Sequence, residues 1–109
     1  KNPLVFARTK PIIGQKTVVF YAHYDVVPPG EHAQWQYEPF SVTGVNGYLY
    51  GRGTSDNKGP LLAFALALRD VQTANKLGVN VVLAIEGEEE SKSAGFLEAI
   101  RAHRQTWFN

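Results

Sequence analysis

Thr17-Val18-Val19-Phe20-Tyr21-Ala22, running directly into His23-Tyr24-Asp25, is the stretch on which the fold turns. It is β-branched and aromatic with little polar alternation, the pattern of a strand buried on both faces. Val79-Asn80-Val81-Val82-Leu83-Ala84-Ile85 repeats that pattern and ends at Glu86-Gly87. Between the two runs lies Leu61 to Lys76, dense in alanine and leucine, with Pro60 near its first turn and Gly78 past its end. This predicts a mostly buried helix, since a missing N–H is harmless in the first turn and glycine suits a helix exit. Ala94 to His103 predicts a second, amphipathic helix. Strands alternating with helices imply an α/β fold with a largely parallel sheet and covering helices.

The remaining segments fit around that frame. Leu4 to Ala7 is a short apolar run that reads as a strand, with Pro11 and Gly14 punctuating the gap after it. Val26 to Phe40 holds Pro28, Pro29, Gly30 and Pro39 and reads as an irregular loop. Phe40 to Thr43 and Tyr48 to Tyr50 flank Asn46-Gly47, the signature of a tight hairpin. The polar groups then fall mainly at strand carboxyl ends, where open α/β sheets bind ligands.

Composition narrows the function classes. With 44% hydrophobic and 12% aromatic residues, the 109-residue chain reads as a folded domain rather than a disordered segment. A formal net charge of +1 without basic clusters argues against nucleic acid as the main partner. The chain has no cysteine, which excludes disulfides and thiolate metal sites and fits a reducing, cytoplasmic setting. No apolar run reaches the roughly 18 residues that span a bilayer. Starting at Lys1 and holding no methionine, the sequence is expected to be an internal piece of a longer protein.

Chemistry-bearing residues gather at three places. His23 ends the first long strand, and Asp25, two residues on, lies on the same side and can orient its ring. On that pair alone, a structural histidine beside a loop carboxylate is the commoner arrangement. Gly51-Arg52-Gly53-Thr54-Ser55-Asp56-Asn57-Lys58-Gly59-Pro60 is not a phosphate loop, because proline follows the last glycine where that motif needs lysine. It presents Asp56 just before a helix, where capping is as natural a role as metal binding. Glu86-Gly87-Glu88-Glu89-Glu90 follows the second long strand. Alone it reads as a solvated acidic turn, yet four close carboxylates repel one another unless exposure or a cation offsets them. Imidazole and carboxylate without thiolate suit hard-to-borderline divalent metals. His32 and His103 read as surface residues, Trp35, Tyr37 and Phe40 as loop-packing aromatics, and Lys58 as solvated.

Taken together, several motifs resemble the co-catalytic zinc metallopeptidases of the aminoacylase, carnosinase and glutamate-carboxypeptidase type. They are Tyr21 to Pro28, Trp35 with Pro39-Phe40, Leu49 to Gly53, Asp56 to Pro60 and Glu86 to Ser91. The resemblance covers nearly the whole chain and rests on the order of the motifs more than on any one. It implies that residues 1–109 are the N-terminal portion of one three-layer catalytic domain, with the remaining catalytic segment and a lid or dimerisation domain lying elsewhere. It also implies two divalent metal ions, zinc by preference. By resemblance His23 and Asp56 are metal ligands, Asp56 bridging, and Asp25 orients His23. Three consecutive glutamates leave the register open. The family places its pair after an acidic-Gly-x lead and before a small residue, which selects Glu89 as general base and Glu90 as ligand. A cis peptide is implied at Asp56-Asn57.

The implied reaction is hydrolysis of an amide bond in small peptides or N-acyl amino acids, by an enzyme acting as a homodimer or within a hetero-complex. A narrower resemblance joins Asn2-Pro3, Val5-Phe6-Ala7 and Ser55 to Pro60 to the peptidase-like subunit of the fungal glutathione-degradation complex. It sets up the alternative of an inactive, scaffold-like subunit. Two departures stand out. Lys92 occupies a position where the family usually has glycine, so a positive φ there would strain the turn after Glu90. The family also takes a further aspartate and a distal histidine from beyond the glutamate pair. The 109-residue piece alone is therefore expected to bind zinc weakly and to hydrolyse nothing.

Overall fold

In the computed structural model, which describes residues 2–108, the two apolar runs become neighbouring strands. In chain order the elements are β1 (Val5–Arg8), β2 (Thr17–His23), β3 (Thr43–Val45), β4 (Tyr48–Tyr50), α1 (Lys58–Thr73), β5 (Asn80–Glu86) and α2 (Phe96–Trp107). The main sheet has the order β1-β5-β2, while β3 and β4 form a separate hairpin. Asn46 and Gly47 turn that hairpin with φ of 50° and 83°, as a two-residue turn between twisted strands requires.

Central β5 carries most of the core. Val81, Val82 and Ala84 are buried on it, and Ala22 of β2 joins them. β2 runs parallel to β5 from Thr17↔Asn80 to His23↔Glu86. β1 runs antiparallel from Val5↔Ile85 to Arg8↔Val82. Seven parallel pairs against four antiparallel ones make the sheet largely parallel, with one reversed edge. No helix separates β1 from β2, so the parallel-crossover rule never governed the direction of β1.

Strand alternation assigns the helices to opposite faces. Phe20 stacks on Phe64 of α1, ring centroids 3.6 Å apart and planes 4° from parallel. The next residue, Tyr21, points the other way and meets Phe96 of α2 edge-on at 5.1 Å. On that second face Phe6 also packs near Trp107 and Phe108, and the Arg8 guanidinium lies over Trp107. The result is a helix–sheet–helix arrangement. Among the described residues no helix is long and apolar enough to cross a membrane.

Two expectations about burial fail. β2 is buried only at its carboxyl end, with Val18 and Val19 about half exposed, and α1 has no buried residue. The cause for β2 is position, since it is an edge strand paired on one side only, while α1 meets the sheet with Phe64 on Phe20. Leu62 and Leu66 face outward at 59% and 41% exposure. The principal dimensions, 53 × 35 × 15 Å, describe a slab rather than a ball.

Because the Phe20–Phe64 stack ties α1 to the sheet, Phe64→Ala is expected to lower stability by about 2–3 kcal/mol, below the full range for a buried ring. Urea unfolding measures this, and a loss under about 0.5 kcal/mol would show that other contacts hold α1.

Candidate metal centre

Parallel register decides what meets at the sheet's edge. His23 and Glu86 are the last residues of β2 and β5 and lie opposite each other. The loops that follow them, 24–26 and 87–93, are thereby brought side by side, and the loop before α1 closes the third side. His23 is buried, at 5% exposure. Its backbone N–H donates to Oδ1 of Asn57 at 3.2 Å, which ties β2 to the loop carrying Asp56.

That loop is shaped by its own backbone. The Thr54 hydroxyl donates to the Gly51 carbonyl at 2.8 Å, and the Lys58 N–H to the Gly53 carbonyl at 3.0 Å. A Cβ on Gly59 would run into the Thr54 carbonyl oxygen, so the helix can start there only on glycine. The Asp56–Asn57 peptide is cis. Asp56 does not cap α1: Asn57 holds the cap position without a side-chain bond, and the Asp56 carboxylate turns to His23 instead.

Both imidazole nitrogens have acidic or carbonyl neighbours. Nε2 lies 2.9 Å from Asp56 Oδ1 and 3.9 Å from Glu89 Oε2. Nδ1 lies 3.2 Å from the Asp25 carbonyl and 3.3 Å from Asp25 Oδ1. The Asp25 carboxylate also accepts the backbone N–H groups of Glu89 at 3.3 Å and Glu90 at 3.0 Å. One side chain thus fixes the ring and the glutamate turn together. Donor atoms of His23, Asp56 and Glu90 all lie within 4.8 Å of one another. One nitrogen and two carboxylate oxygens converging from three separate segments fit a borderline divalent cation.

The same arrangement sets the proton affinity of His23. Burial pushes its pKa down, but the hydrogen bond to Asp56, that to the Asp25 carbonyl and the Glu89 charge outweigh it, and the net shift is upward. A proton on Nε2 stands where a metal would bind, so metal uptake must release it.

Beneath the turn is a buried group that sequence reasoning counted only as one acid among several. Glu86 is 1% exposed. Its Oε1 accepts the Tyr21 hydroxyl at 2.6 Å and the Ser93 hydroxyl at 2.8 Å. Burial first, and the Glu86 carboxyl next, raise the Tyr21 pKa above the ordinary tyrosine range, so its hydroxyl stays a donor. Strand alternation already placed Tyr21 and His23 on one face, and His23 faces Glu86. That was the available signal.

The turn itself, a 3-10 segment over Glu89–Ser91, ends at Lys92 with φ 79° and Ser93 with φ 51°. Lysine therefore does occupy a left-handed position. The other polar candidates lie away from this cluster: His32 is exposed near Glu38, and His103 packs on Phe6. Trp35 donates to the Pro29 carbonyl and underlies the Arg52 guanidinium, and Tyr37 packs on Tyr50, which makes them loop-packing aromatics.

Two outcomes follow from this geometry. In metal-free protein the His23 ring should titrate by NMR above the ordinary value of about 6.5, and Asp56→Asn should lower the midpoint. Since the folded state holds this proton more tightly, its stabilisation is full below the unfolded pKa and fades as pH rises through the folded one. An unshifted His23 midpoint would show that Asp56 does not hold the proton. Separately, Lys92→Gly should raise stability by about 1 kcal/mol by relieving the left-handed backbone. A lower unfolding midpoint for that variant would mean that lysine makes contacts worth more than the strain.

Comparison with known proteins converges on one family. The model of peptidase family M20/M25/M40 matches residues 19–108. "Probable di- and tripeptidase DUG2" of Saccharomyces cerevisiae is 40% identical over 101 residues, covering 85% of this chain and 12% of the relative. "Cys-Gly metallodipeptidase DUG1" of Candida albicans is 38% identical over 112 residues, covering 97% of this chain and 22% of the relative. The structure of human carnosine dipeptidase 1 superposes with a TM-score of 0.88 at 36% identity, over 97% of this chain and 23% of that one. The chain therefore spans less than a quarter of the length of the relatives it matches. On its motifs, its geometry and its match to the family model, this chain belongs to the M20/M25/M40 peptidases.

Proposed function

We propose that residues 1–109 are the N-terminal portion of the catalytic domain of a metal-dependent dipeptidase, with the remaining catalytic segment and a lid or dimerisation domain outside them. The observation that carries this is the convergence of His23, Asp56 and Glu90 donor atoms within 4.8 Å at the carboxyl end of a parallel strand pair. The flatness of the slab and the outward-facing leucines of α1 support a place within a larger domain. The relatives named as dipeptidases support small peptides as substrates, and the wider class of N-acyl amino acids rests on the motif resemblance alone.

In this reading His23, Asp56 and Glu90 would hold the divalent metal, two ions and zinc by preference, with Asp56 available to both. Such ions supply Lewis acidity and make water a better nucleophile near neutral pH. Asp25 keeps the His23 ring fixed through Nδ1, leaving Nε2 for metal. Glu89, whose Oε2 is 3.9 Å from His23 Nε2, is placed at the edge of the ligand group with its side chain 42% exposed. It serves as general base, taking a proton from the attacking water and returning it to the leaving amine.

The test uses the complete protein. Chelation should abolish hydrolysis of Cys-Gly or β-Ala-His dipeptides, and zinc, manganese or cobalt should restore it. Glu89→Gln should keep bound metal and lower kcat about 100- to 10,000-fold, the usual worth of a general base. Undiminished turnover in Glu89→Gln would remove that residue's role, and turnover in metal-free protein would remove the whole reading.

A further inference from the structure

The three consecutive glutamates pose a mechanical question. A slip of one residue in the turn after β5 would present Glu88 and Glu89 to His23 in place of Glu89 and Glu90. Asp25 does not prevent this on its own, because its carboxylate accepts two successive backbone amides and any adjacent pair would satisfy it. Something must fix the far end of the turn.

The geometry points to Glu86 as the positioning residue that fixes this register, acting through Ser93 and Tyr21. Glu86 ends β5 and cannot shift, since its backbone carbonyl accepts the Tyr24 N–H at 2.8 Å and its neighbours are paired in the sheet. From there its Oε1 reaches forward seven residues to the Ser93 hydroxyl. It also reaches across to Tyr21, two residues before His23 on the ligand-bearing strand. The Ser93 N–H in turn donates to the Glu88 carbonyl at 2.7 Å, closing the loop on itself. The turn is thus clamped from two sides: Asp25 holds its amides in front and Glu86 holds its exit from behind. Slippage by one residue would carry Ser93 away from Glu86 and leave a buried carboxyl short of a donor, an unfavourable state in a site so enclosed. The clamp also accounts for two successive residues in the left-handed region, because that path returns the chain to Glu86.

This inference rests on the metal-site reading above. The test measures metal affinity of the complete protein by chelator competition, and the visible spectrum of the cobalt form, which reports ligand geometry without turnover. Ser93→Ala should weaken zinc and cobalt binding about 10- to 100-fold, the range typical of groups that orient ligands, and should change the cobalt bands. Tyr21→Phe, a milder change at a half-exposed ring, should weaken binding in the same direction. The double variant should lose less than the product of the two, because both act through one oxygen. If both single variants bind metal within twofold of wild type with unchanged cobalt bands, and only their unfolding midpoints fall, Glu86 is merely structural. Wild-type protein that takes up no metal would instead remove the metal reading itself.

Discussion

Parallel pairing of β2 with β5 is the constraint on which the rest depends. It ends both strands at one level, with His23 opposite Glu86. Side-chain direction alternates along a strand, so a one-residue slip would send His23 to the other face and part it, together with Asp25, from Asp56 and Glu86. The apolar residues Val81, Val82 and Ala84 of β5, with Ala22 of β2, are the buried core that joins the two strands. A small hydrophobic core thus determines the position of a polar site that it barely touches.

Acid density is the second constraint. Asp25, Asp56, Glu86, Glu89 and Glu90 crowd around one imidazole, and each of the more enclosed ones has donors of its own. Asp25 takes two backbone amides and Glu86 takes two hydroxyls, while the exposed Asp56 carboxylate meets the His23 ring. Against the cost of burial, the hydrogen bonds to Asp56 and to the Asp25 carbonyl, with the charges of Glu89 and Asp56, raise the proton affinity of His23. Proton and metal relieve the same excess of negative charge, so they compete for one nitrogen. Sequence spacing places these acids near each other. Only the hydrogen bonds show which have partners within the protein and which remain available to a cation.

Much of this was legible in the residues, for identifiable reasons. Strands at 17–23 and 80–86 show in their β-branched runs, the hairpin in Asn46-Gly47, and the helix start in Pro60, because each depends on local chemistry. His23, Asp25, Asp56, Glu89 and Glu90 stood out by residue type at strand ends and by resemblance, and all five lie together. Burial was misread for β2 and α1, since apolar composition states what a surface prefers and not whether a neighbour covers it. Glu86 was passed over because its importance lies in contacts with Tyr21, 65 positions away, and Ser93, and no local pattern encodes the longer of these.

Where the site's rigidity originates can be argued from the same contacts. α1 has no fully buried residue, and its packing on the sheet through Phe64 is joined by hydrogen bonds of the Asp56 loop itself. The loop is held at its strand-facing side, by the His23 N–H on Asn57 and by hydrogen bonds within residues 51–58. The glutamate turn is likewise held by Asp25 and Glu86, both belonging to strand ends or the residues just after them. The ties between segments lead back to β2, to β5 or to Asn2, whose N–H donates to Glu88 Oε1 at 2.9 Å. Changes to the outer surface of α1 should therefore reach the metal ligands weakly, whereas a change in either strand's last residues reaches all of them at once. The site is in this sense an extension of the sheet: its order follows from strand pairing, and the helices mainly shelter the strands that carry it.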